Sequence, residues 1–65
     1  MVMSQPALVF QRVVEALEAE TLTDQTAMRV VAATKALLQA TNTDPSPVLL
    51  NFSPETQNLV RRLFA

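Results

Sequence analysis

The chain contains no glycine in 65 residues but has four prolines. Glycine is the usual residue for positive φ, for tight hairpin turns and for helix C-caps. A sequence without it makes few such turns and favours helices joined by open loops. Phosphate-cradling Gly-rich loops are excluded for the same reason. The prolines (Pro6, Pro45, Pro47 and Pro54) all fall where a helix can begin or a loop can stiffen.

Apolar periodicity fills in the helices. The spacing predicts a first helix from Gln5 to Glu20, capped by Ser4 or Gln5, with Pro6 in the first turn, where its missing N–H costs nothing. At 100° per residue, Ala7, Phe10, Val13, Val14 and Leu17 share one face, and Val9 and Ala16 widen it. Leu8 falls on the polar side, and Arg12 reaches Glu15 at i,i+3. Thr23 reads as the N-cap of a second helix from Asp24 to Ala40 or Thr41, with Leu22 and Ala27 at hydrophobic-staple spacing. Its inner face is Ala27, Val30, Val31, Thr34, Leu37 and Leu38. Ala33, Ala36 and Ala40 lie opposite, as good helix formers on an unpacked face or as a second packing surface. The short connection makes the two helices an antiparallel hairpin.

Asn42 is the expected stand-in for glycine at the end of the second helix, because Asn tolerates the left-handed region. Pro45 and Pro47 then stiffen an extended loop. Ser-Pro occurs twice, at Ser46-Pro47 and seven residues later at Ser53-Pro54, and each pair reads as an N-cap followed by a first helical position. The second opens a helix from Pro54 to Phe64 whose apolar face is Thr56, Leu59, Val60, Leu63 and Phe64. The first opens one helical turn over Pro47 to Asn51. A strand there would have nothing to pair with. The fold class is therefore all-α: one domain over residues 1–65, a small three-helix bundle made of a hairpin, a proline-stiffened loop with a short helical turn, and a C-terminal helix. Val13, Val14, Leu17, Val31 and Leu38 are its expected core.

Composition narrows function mostly by exclusion. There is no Cys for a disulfide framework or thiolate zinc site, and no His for the commonest metal ligand and general base. Ser or Thr nucleophiles need such a base. Glu15, Glu18 and Glu20 cluster at the end of the first helix, but hard cations want more oxygens than they supply. We expect no enzyme activity and no cofactor. Met1-Val2-Met3-Ser4-Gln5-Pro6 lacks the pattern of a signal peptide, and Arg12, Glu15, Glu18, Arg29 and Lys35 interrupt every candidate span. The expected setting is the cytoplasm, away from membranes.

Net charge is −1, from five Lys+Arg against six Asp+Glu, so no broad positive field draws a phosphate backbone. Gln57, Asn58, Arg61 and Arg62 could still be read as a recognition helix. The run Val48 to Glu55 loosely resembles the strand-to-helix opening of ribbon-helix-helix repressors. That family needs a further long helix, and the chain is matched to no family. A small DNA-binding or antitoxin-like regulator stays as one alternative and a non-catalytic subunit of an enzyme complex as another.

The remaining signal is aliphatic surface. Hydrophobic residues make up 49% of the chain and charged residues only 17%, against about 25% in an ordinary domain. A domain this small buries only about 60% of the surface of its unfolded chain. Self-association or docking on a partner is a common remedy. The expected function is a non-enzymatic protein–protein interaction module, a homodimer or a small accessory or regulatory subunit. Leu49, Phe52, Val60, Arg61, Arg62 and Phe64 are its expected partner-binding residues, because interface cores favour aromatics and Arg.

Overall fold

Each long helix begins on a hydroxyl cap, as the sequence leads one to expect. In the computed structural model, which describes residues 4–65, Ser4 caps α1 (Gln5–Glu18), Thr23 caps α2 (Asp24–Ala40) and Ser53 caps α4 (Pro54–Leu63). Met1, Val2 and Met3, on which the N-terminal reading partly rests, lie outside the described residues. The caps of α2 and α4 share a variant of the capping box. Thr stands at the third helical position in place of Glu, and the cap hydroxyl donates to it, Thr23 to Thr26 at 2.8 Å and Ser53 to Thr56 at 3.1 Å.

The helix ends show what replaces glycine. After α1, Glu20 takes φ 57°, and after α2, Asn42 takes φ 52°. Both ends are Schellman motifs. The Thr21 N–H donates to the Ala16 carbonyl at 3.1 Å and Glu20 N–H to Leu17 at 3.2 Å. Thr43 N–H donates to Leu38 at 2.9 Å and Asn42 N–H to Gln39 at 3.2 Å. The role of Asn42 is as expected. That of Glu20 is not: α1 stops at Glu18, two residues early, and a glutamate adopts the left-handed conformation that turns the chain into α2.

The proline-stiffened segment forms α3 (Ser46–Leu49), a single helical turn and not a strand. Its start differs from expectation. Ser46 is already helical, Pro45 occupies the cap position, and no side chain caps that position. The Asp44 carboxylate accepts from the Ser46 N–H at 3.0 Å instead, an Asx-type turn that closes the loop before Ser46 can act as a cap. The same Ser46 backbone N–H, then its hydroxyl, holds the Asp44 carboxyl below its ordinary pKa.

α1 is the central element and packs against each of the other three helices. Its buried residues Ala7, Phe10, Val13, Val14 and Leu17 form one arc, while Val9 joins Leu8 on the exposed side. One core cluster joins Ala7, Phe10 and Val14 to Leu38, Val48, Leu49 and Val60. The other joins Val13, Leu17 and Val31, with Leu22, Ala27, Leu59 and Leu63 packed on it. Phe64 packs against both clusters, and its ring stands edge-on to that of Phe10 with centroids 5.3 Å apart. All five expected core residues are buried. Ala33, Ala36 and Ala40 are exposed, with no cover from the other described residues. The Arg12–Glu15 pair forms at 3.8 Å between exposed side chains, where it contributes little.

One long-range polar contact ties α4 to the end of α1. The Thr56 hydroxyl, buried, donates to the Glu18 carboxylate at 2.8 Å while accepting from Ser53. Periodicity puts Thr56 on the apolar face and Glu18 on the solvated one. The bond explains how both are accommodated where the two helices meet.

Candidate functional site

Two apolar clefts flank α4. The first, about 300 Å³, lies between α3 and α4 over α1. Phe10, Leu49, Val60 and Phe64 line its apolar interior, and Pro45, Ser46, Leu50, Gln57 and Arg61 complete the wall. On α4 and its C-cap the lining residues Gln57, Val60, Arg61 and Phe64 follow the i, i+3, i+4, i+7 spacing of one helix face. Gln57 is fixed there, because its side-chain amide donates to the Phe52 carbonyl at 2.9 Å. The second cleft, about 510 Å³, opens on the other side of α4, where Leu59 and Leu63 meet Leu17, Leu22, Ala27 and Met28. A third, more open depression of about 310 Å³ runs beside Phe64 along the end of α2. There the Lys35 ammonium donates to the Ala65 backbone oxygen at 3.2 Å.

The rims of the first two clefts differ in charge. Arg61 is the one ionisable side chain lining the first, whereas Glu20 and Asp24 line the second. Each also has a large apolar side chain in water beside it. Leu50 is 78% exposed at the first, and Met28 is 60% exposed at the second. Among the described residues, no group of three His, Cys, Asp or Glu gathers as a metal site would require, and no helix is long and apolar enough to cross a membrane.

The expected partner-binding residues are split by this geometry. Leu49, Val60, Arg61 and Phe64 come together at the first cleft. Leu49 and Val60, however, are core residues, 9% and 2% exposed, and offer only what they show at its floor. Phe52 is half-buried against the core, Arg62 is exposed, and neither lines any of the three clefts. Phe64 is first a core plug and only then part of the cleft wall. The residue missing from the expected set is Leu50. Adjacent residues of a helical turn point about 100° apart, so with both Val48 and Leu49 turned inward Leu50 is carried round to the solvent side.

A family model described as an importin repeat matches residues 1–31, which hold α1, the turn at Glu20 and the first part of α2. The match spans less than half of the 65-residue chain and is a likeness, not a membership. No curated protein and no solved structure matches the chain.

Proposed function

We propose that the chain is a non-enzymatic protein–protein interaction module, acting in the cytoplasm as a homo-oligomer or a small accessory subunit, and that it docks through the cleft between α3 and α4. The exposure of Leu50 beside that cleft carries the reading. Burying a leucine side chain fully is worth roughly 1.5–3 kcal/mol, and this one gains little of it within its own chain. The cleft beside it is walled by two aromatic rings and Arg61, a composition favoured at the centres of interfaces. The importin-repeat likeness over residues 1–31 points the same way, toward helical modules that work by binding proteins.

The test compares the wild-type chain with Leu50→Glu, a surface change that leaves the core untouched. Wild type should melt at a temperature that rises with its own concentration, or with that of a partner recovered from native lysate, and Leu50→Glu should lose that dependence. A compact wild-type monomer whose melting ignores concentration, together with empty pull-downs, would end the proposal.

A further inference from the structure

The occupant of the first cleft can be read from the second, an inference that rests on the docking role just proposed. We propose that a second copy of this chain fills it, presenting its own Glu20/Asp24-rimmed cleft, so that copies associate head to tail. Three features of the two surfaces agree. Both are apolar hollows open to the surface, with room for side chains of a neighbour. Each has an exposed apolar side chain beside it, Leu50 at one and Met28 at the other, so each surface carries both a hollow and a projection. Their rims are opposite in sign, Arg61 on one and two carboxylates on the other. Glu20, Asp24 and Arg61 are exposed and take no part in any ion pair among the described residues.

Charge favours this arrangement over a symmetric one. A two-fold contact through the first cleft alone would gather two Arg61 side chains with no rim carboxylate to meet them, and one through the second would gather two copies of Glu20 and Asp24 with no rim cation. Only the mixed contact supplies both signs. The first cleft against the second places Met28 of one copy at the hollow beside Leu50 of the next, with Arg61 facing the carboxylates. Such a contact is heterologous, so an open assembly keeps one free surface of each kind at its two ends, and growth continues or closes into a ring. The rims are exposed, so they set pairing and salt sensitivity, while the apolar centres supply the affinity.

The test uses two variants, each disabling one surface by placing on it the charge of the rim it should meet: Leu50→Glu on the first and Met28→Lys on the second. Both replace exposed side chains, and melting at high dilution confirms that each is folded. By sedimentation velocity, wild type should form species larger than a dimer, weakened several-fold at high salt. Either variant alone should be monomeric. An equimolar mixture should give a complex that neither variant forms alone, because each brings the intact surface that the other lacks. Self-association by Met28→Lys alone, or no complex in the mixture, would overturn the proposal. A wild-type monomer at every concentration would also overturn it. In that case, recovery of another protein by wild type but not by Leu50→Glu would leave the broader docking reading standing, and failure of both would remove it too.

Discussion

Glu20 offers the sharpest test of how this chain manages without glycine. A non-glycine residue in the left-handed region costs roughly 1–2 kcal/mol. Glycine at the same site removes that cost but loses about 0.5–1 kcal/mol through its larger unfolded-state freedom. A carboxylate one residue past the α1 C-cap also faces the negative end of the helix dipole, a penalty of about 0.3 kcal/mol for an exposed group. The balance predicts that Glu20→Gly stabilises the monomer by about 1 kcal/mol, or roughly 4–8 °C in melting temperature for a domain of this size. Glu20→Gln separates the causes, since it removes the charge and keeps the backbone penalty, and it should recover only the smaller part. Circular dichroism melts at high dilution, free of self-association, provide the assay. If Glu20→Gly melts no higher than Glu20→Gln, the left-handed glutamate costs no more than the freedom glycine adds to the unfolded chain, and the account of this turn is wrong. Because Glu20 also lines the second cleft, the glycine variant should assemble less readily even as its monomer gains stability.

Other substitutions report on the packing and on the alternatives. Phe10→Ala removes a fully buried ring and the edge-on partner of Phe64, and should cost about 3–5 kcal/mol, enough to leave a chain this small largely unfolded in chemical denaturation. Thr56→Val deletes the hydroxyl between Ser53 and Glu18 at nearly constant shape and should lower stability by about 1 kcal/mol, with little further loss when Glu18→Ala is added. The Asp44 carboxyl is held below its ordinary value of 3.8 by the Ser46 N–H and hydroxyl, so it contributes stability above that value and loses it as the pH falls through its folded pKa. Asp44→Ala should therefore melt closer to wild type at the acid end of a pH series than at neutrality. DNA should not retain the wild-type chain at low salt. A salt-dependent retention lost in Arg61→Ala with Arg62→Ala would favour the regulator alternative instead.

Much of the architecture was legible because its signals are local. Ser4, Thr23 and Ser53 announce their helices by the chemistry of an N-cap, and the face from Ala7 to Leu17 needs only the helical period. Asn42 was readable because its side chain tolerates positive φ, whereas Glu20 carries no local mark and is selected by where α1 must stop for α2 to pack back on it. Ser46 misleads for a similar reason, since its Ser-Pro signature is present but Asp44 reaches the backbone first. The candidate site was only half visible. Arg61 and Phe64 follow from the period of α4, but the choice between Leu49 and Leu50 depends on how a single turn sits against α1, and the burial of Val60 depends on how α4 docks. The second cleft could not be read at all. It joins residues from Leu17 to Met28 with Leu59 and Leu63, a meeting that exists only once α4 has closed on the hairpin.

The absence of cysteine allows the central claim to be tested by footprinting with a single introduced thiol. Ser46→Cys is a near-isosteric change at an exposed position on the first cleft, and Ala36→Cys places the same probe on the uncovered face of α2. Maleimide labelling of each is followed as the total concentration of the chain rises, and again with any recovered partner added. If the cleft between α3 and α4 is the docking surface, labelling at position 46 slows in at least one of these series while position 36 reacts at an unchanged rate. Protection at position 36, with position 46 reacting as freely as in the dilute monomer, would place the interface on the alanine face of α2, away from the cleft between α3 and α4, and contradict the account.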